Sequence, residues 1–128
     1  MKKIYQILFE HSSEVMKNAY SPYSKIKVGA AVITKDGYIF AGCNVENSSY
    51  GATICAERAA ITKAISEGFK EFKAIGIISD RFKFISPCGI CRQFIAELAP
   101  NIDVYLFNSD GKFKRFKIKE LLPIGFRI

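Results

Sequence analysis

Cys55-Ala56-Glu57-Arg58 and, further along, Pro87-Cys88-Gly89-Ile90-Cys91-Arg92-Gln93 are the stretches around which the chain is arranged. Each places cysteine sulfur at the start of a segment with helical patterning, and the first adds a carboxylate two residues after its cysteine. Three thiolates make a soft-ligand set suited to zinc, and a site with three protein ligands keeps a fourth position open for water. The open position separates a catalytic metal from a structural one. Zinc lowers the pKa of such a water to about 7, and Glu57 is placed to receive the proton. A first-turn glutamate also complements the helix dipole, so the catalytic reading of Glu57 rests on the cysteines beside it. The competing arrangement is a closed four-cysteine site that recruits Cys43. Cys43 falls inside a predicted strand, however, and a closed site leaves Glu57 without a task.

Outward from these stretches, Ala56, Ala59, Ala60, Ala64 and Ile65 fall on one helical side, with Gly68 as a cap after the last turn. Ala74-Ile75-Gly76-Ile77-Ile78 is almost wholly apolar and predicts a strand buried on both faces, as in a parallel sheet. Pro87 opens a helix with Ile90, Phe94, Ile95 and Leu98 inward, and Pro100 ends it. Upstream, Val28 to Ile33 is a buried strand, Lys35-Asp36-Gly37 a turn, and Tyr38 to Cys43 its hairpin partner. Asn44-Val45-Glu46-Asn47 leaves that hairpin, and Asn47 suits an Asx-type turn.

From Ile4 to about Ala19, apolar residues at helical spacing predict an amphipathic first helix, ended by Ser21-Pro22. Val104 to Phe107 is a strand, Ser109-Asp110-Gly111 a turn, and Lys112 to Ile118 a last strand. There Phe113 and Phe116 have opposite parity, which predicts an exposed ring or a bulge. Glu120 to Pro123 forms a final helical turn. Strands alternating with helices imply a layered α/β domain, one central sheet with helices on its faces.

The 128 residues suit one domain, 1–128, with a proper core. No apolar run approaches the ~20 residues of a membrane helix. The apolar stretch after Met1-Lys2-Lys3 is interrupted by Gln6 and followed by no small-residue cleavage site. A cytoplasmic protein is expected, where reduced cysteines serve as ligands. The net charge of +7 is densest at Lys112, Lys114, Arg115, Lys117 and Lys119. A solvated strand face accounts for these residues, and no recognised nucleic-acid-binding module accompanies them. His11, the one histidine, is expected at the surface.

Cys55-Ala56-Glu57 followed by Pro87-Cys88-x-x-Cys91 resembles the zinc-dependent cytidine deaminase family, and the resemblance runs from about Ala19 to Phe126. It implies a three-layer fold with a mixed five-stranded sheet, whose second and third helices carry Cys55, Cys88 and Cys91 as ligands of one Zn2+ per chain. The implied reaction is hydrolytic removal of the C4 amino group from cytidine or 2′-deoxycytidine, giving uridine or 2′-deoxyuridine and ammonia, as in pyrimidine salvage. Glu57 moves one proton to ring N3 and a second to the departing amino group.

The resemblance also implies that Asn44 and Glu46 bind ribose hydroxyls, and that the backbone of Ala56 and Ser86 binds the pyrimidine. Tyr50 and Phe126 match residues that reach a neighbouring subunit's site in homotetrameric relatives. Ile26 stands where many relatives place phenylalanine against the base, so aliphatic packing is expected there. With two residues after Phe126, no long C-terminal tail is expected over the site. Arg58, beside the glutamate, is placed to hydrogen-bond a ligand thiolate and tune the metal.

Deaminases acting on deoxycytidylate or nucleic acid usually have histidine where this chain has Cys55. A blasticidin-S-type deaminase, acting on a nucleoside antibiotic, shares the three cysteines and is the alternative within the family. From a different class, the alternative is a non-enzymatic four-cysteine zinc module that binds RNA.

Overall fold

A computed structural model describes residues 1–128. Its helices are α1 (Ile4–Met16), α2 (Ala56–Ser66), α3 (Gly89–Leu98) and α4 (Ile118–Leu121), and its strands β1 (Val28–Thr34), β2 (Ile39–Cys43), β3 (Phe72–Ser79), β4 (Asp103–Phe107) and β5 (Phe113–Lys117). The five strands form one mixed sheet in the order β2-β1-β3-β4-β5. β1 pairs antiparallel with both β2 and β3, β3 runs parallel to β4, and β5 returns antiparallel at the edge. A parallel pair cannot be joined by a tight turn, and α3 lies within the crossover between β3 and β4.

Side chains alternate across the sheet and build a core on each face. On one face α1 places Leu8 against Ala31, Ile33, Ala74, Ile78 and Phe107. On the other, Ala60 and Ile61 of α2 and Ile95 of α3 join Val32, Ile75, Ile77 and Val104. The helices therefore cover both faces, as the α/β alternation and the family resemblance implied. β3 is buried continuously from Ala74 to Ser79, in keeping with its apolar run.

The two covered faces also resolve the parity of the last strand. Phe113 pairs with Phe107 and is 37% exposed, the exposed ring expected of this strand, with one edge against Tyr5 and Tyr105, whereas Phe116 pairs with Val104 and packs against the opposite core. No bulge interrupts β4 and β5; the register shift lies between β1 and β3, at Ile33 and Thr34. α1 ends at Met16, earlier than Ala19, because the chain turns there to let Tyr20 N–H donate to Asn44 O at 3.0 Å. Tyr38 belongs to the turn and not to β2, with its N–H donating to Thr34 Oγ1 at 3.0 Å. His11 is exposed, and no helix is long and apolar enough to cross a membrane. The lysines and Arg115 of the edge strand are solvated, an arrangement that discourages pairing with another strand.

Candidate active site

Two helix starts deliver the sulfur. Cys55 and Cys88 are the N-cap residues of α2 and α3, both with extended backbone, and Cys91 lies one turn into α3 and is buried. Cys91 N–H donates to Cys88 Sγ at 3.5 Å. All three sulfurs lie within 4.8 Å of one another, and those of Cys55 and Cys88 are 3.8 Å apart. Tetrahedral zinc with Zn–S bonds of about 2.3 Å requires sulfurs about 3.8 Å apart, so the donor set fits that metal. The positive ends of two helix dipoles add to the attraction for thiolate. Cys43 is not part of the group; it sits at the end of β2 opposite Gly29, which leaves a three-sulfur site with Glu57 beside it.

α2 reaches this position because it lies close on β2. A Cβ at Gly42 would come within 2.6 Å of Ala60 N and 2.7 Å of Ala59 Cβ, so glycine permits the approach. At its far end Gly68 takes φ +99, with Gly68 N–H donating to Ile65 O and Phe69 N–H to Ala64 O, a Schellman cap.

Charge is concentrated here. Arg58 Nη2 donates to Cys55 Sγ and to Thr53 O, both at 3.4 Å. The Cys55 thiol is drawn down to about 5 by its hydrogen bond with Cys91 first and then by Arg58, against the cost of burial. The Cys91 thiol is correspondingly pushed up by that same bond, by burial and by the Glu57 charge. Glu57 is 5% exposed, and burial, helped by the Cys55 charge, raises its carboxyl to about 7. A divalent cation offsets the negative charge that otherwise forces these groups to share protons.

Above the cluster lies a cavity of about 260 Å³. Cys55, Ala56, Glu57 and Cys88 line it together with Ile26, Asn44, Glu46 and Ser86, so the sequence-derived candidates from four separate segments converge. Ser24, Val28, Thr53, Ile77 and Ile85 also line it and carry no local signal in the sequence. A larger cavity of about 480 Å³ opens beyond the start of β3, at the opposite end of the sheet, lined by Lys35, Lys70, Lys73 and Lys117. It contains none of the three thiols, so chemistry selects the smaller one.

Asn44 and Glu46 have work within the chain itself. Asn44 Oδ1 accepts from Val28 N–H and its Nδ2 donates to Ile26 O, each at 2.8 Å. Glu46 Oε1 accepts from Tyr23 N–H at 3.0 Å and Ser24 N–H at 3.1 Å, and Oε2 accepts from the Ser24 hydroxyl. These contacts hold the Glu46 carboxyl below its ordinary value, the Ser24 hydroxyl contributing most. Each side chain braces the loop before β1 and retains capacity for one more partner, an N–H on Asn44 and a lone pair on Glu46 Oε2. Asn47 makes the expected Asx turn, its Oδ1 accepting from Ser49 N–H at 2.9 Å.

Tyr50 and Phe126 stand apart from the cavity. Tyr50 is 76% exposed and lines an adjacent hollow that shares Ser24, Glu46 and Thr53 with it. Phe126 is 71% exposed at the end of the chain.

Residues 2–106 match the family described as the cytidine and deoxycytidylate deaminase zinc-binding region. The chain is 45% identical over 122 residues to a cytidine deaminase of Halalkalibacterium halodurans, covering 94% of this chain and 92% of that protein. A blasticidin-S deaminase of Bacillus cereus is 34% identical over 127 residues, covering 93% and 89%. Among solved structures, a cytidine deaminase from Burkholderia pseudomallei superposes with a TM-score of 0.92 at 42% identity, covering 97% of this chain and all of that one.

Proposed function

The chain belongs to the zinc-dependent cytidine deaminase family, and from that membership we propose that it hydrolyses cytidine and 2′-deoxycytidine to uridine and 2′-deoxyuridine with release of ammonia. The observation that carries this reading is a buried glutamate beside a three-sulfur cluster, at the floor of a cavity that Asn44 and Glu46 also line. Residues 1–128 act as one catalytic domain. The activity serves pyrimidine salvage, and the cytoplasm, which keeps thiols reduced, is its compartment.

Cys55, Cys88 and Cys91 would hold a zinc ion. Zinc bound there supplies Lewis acidity that makes water a nucleophile near neutral pH. Glu57 would accept a proton from the attacking water and deliver it to ring N3, which makes C4 more electrophilic. Once the water oxygen has added at C4, Glu57 would take the remaining proton of that hydroxyl and pass it to the exocyclic amino group, so that the C4 carbonyl forms, the C4–N bond breaks and ammonia leaves. In the metal-free chain burial holds this carboxyl up to about 7, and a positioned carboxyl group can both take and give a proton. Asn44 donates its free N–H to a sugar hydroxyl and Glu46 Oε2 accepts from one, while the backbone at Ala56 and Ser86 orients the base. Ile26 packs aliphatically against the ring. Arg58 moderates the charge on Cys55 without touching substrate.

The assembly is a homotetramer in which Tyr50 and Phe126 reach a neighbouring subunit's site. Their exposure supports this, since aromatic side chains left in solvent on an ordered chain suit a contact with another surface. An ultraviolet assay of zinc-loaded protein on cytidine, deoxycytidine, deoxycytidylate and blasticidin S tests the substrate class. Turnover of the first two is expected; turnover of blasticidin S in their place would move the protein to the antibiotic-deaminating branch.

A further inference from the structure

The two residues after Cys91 connect the metal loop to the end of the chain. Arg92 Nε donates to Pro87 O at 2.8 Å and Nη2 to Ser86 Oγ at 3.0 Å, while Nη1 donates to Leu121 O at 2.8 Å. Gln93 Nε2 donates to Phe126 O at 2.7 Å, and its Oε1 accepts from Phe126 N–H at 2.9 Å. An amide that engages both backbone groups of one residue reproduces the reciprocal pairing of a β-ladder and fixes that residue's place and orientation. The Phe126 ring nevertheless stands 71% exposed, with Ile124 beyond it at 92%. A chain end that merely frays has no such clamp. Here a large apolar side chain is presented to solvent on a backbone held at both its donor and its acceptor.

We propose that Gln93 is a positioning residue that presents the Phe126 ring to the nucleoside cavity of a second copy of this chain, with Arg92 anchoring the same segment to the metal loop. The inference rests on the shared-site assembly proposed above and extends it to the residue that fixes the shared group. Cys88, Cys91, Arg92 and Gln93 all belong to α3 or its cap, so one rigid element sets two of the three ligand cysteines of its own subunit and the ring it offers to the next. Fixing the ring in advance removes the ordering cost from substrate binding. Release of the clamp lowers the competent fraction and raises the apparent KM, while the proton transfers and the metal stay as they were.

The test uses the full-length, assembled, zinc-loaded protein. Gln93→Leu removes both bonds at nearly constant volume. It is expected to speed hydrogen exchange at the Phe126 amide and to raise KM for cytidine about five- to tenfold, with kcat and zinc content within about twofold of wild type. Gln93→Glu keeps the acceptor but loses the donor, and an intermediate KM is expected. Unchanged KM in Gln93→Leu despite faster exchange overturns the proposal. Should Gln93→Leu fail to fold, Gln93→Glu decides: a wild-type KM with faster exchange overturns it and a raised KM supports it. Phe126→Ala separates the two readings. A raised KM there with wild-type KM in the Gln93 variants leaves the shared site standing and removes the clamp, whereas an unchanged KM in Phe126→Ala removes both.

Discussion

Arg58 Nη2 donates to the Cys55 sulfur at 3.4 Å, and the same nitrogen holds the Thr53 carbonyl. The guanidinium thus ties a thiolate ligand to the segment that leads into α2 and draws negative charge off the sulfur. Arg58→Gln weakens that pull, leaves Cys55 a stronger donor and makes the water at the open position less acidic. Zinc content should stay near one per chain while kcat falls about 10–100-fold, the usual scale for losing a group that orients a metal ligand. Parallel zinc and kcat measurements check this, and full activity would remove Arg58 from the electrostatics of the site.

Glu57 is costly to the fold and is the group proposed to move the protons. Its folded pKa of about 7 lies above the ordinary 4.5, so the folded protein holds the proton more tightly than the unfolded chain does. In metal-free protein, stability therefore falls as pH rises from about 4.5 to 7, by an amount on the order of 3 kcal/mol. Glu57→Gln lacks that titration. The variant should match wild type in denaturant unfolding at pH 4.5, exceed it above pH 7 by roughly that amount, bind zinc, and lose nearly all turnover. Substantial activity in the variant would take Glu57 out of the proton transfers.

The three-cysteine cluster and the place of Glu57 beside it were readable because they sit within short motifs at helix starts, where sequence spacing and spatial spacing nearly coincide. Ser24, Thr53 and Ile85 were not, since each comes from a separate loop and reaches the cavity only once the sheet is assembled. The double coverage of the sheet was legible in the apolar run of β3. In β5 the opposite parities of Phe113 and Phe116 were legible as an exposed ring, Phe113, but not the contact of its edge with Tyr105 and Phe107, which lie on another strand. Asn44 and Glu46 showed their alternation but not their bonds to Val28, Ile26, Tyr23 and Ser24, which join residues distant in sequence.

Those bonds give Glu46 two separable tasks. Glu46→Ala removes both the loop brace and the proposed sugar contact. Loss of a charged hydrogen bond predicts a rise of about 10–100-fold in KM for cytidine. The effect on 1-methylcytosine, which has no sugar, should be much smaller. Ser24→Ala frees one side of the loop while leaving the carboxylate in place, so its effect should be modest and alike for both substrates. Equal losses on both substrates in Glu46→Ala would reduce Glu46 to a brace.

Gly42 bears on the site from the sheet beneath it. Its missing side chain lets β2 and α2 approach so closely that an added Cβ would meet the backbone nitrogen of Ala60 at 2.6 Å. Backbone cannot swing aside as a flexible side chain does, so Gly42→Ala must lift α2. Overpacking of this kind costs about 1–3 kcal/mol. Cys55 caps α2 and Cys88 caps α3, so displacing one helix changes the 3.8 Å between their sulfurs. A lowered Tm should therefore come with weaker zinc retention against a chelator. Gly37→Ala is the control: that glycine has φ +94 but open space around it, so its variant should lose some stability and keep its zinc. Equal zinc retention in both variants would mean that α2 absorbs the strain before it reaches Cys55.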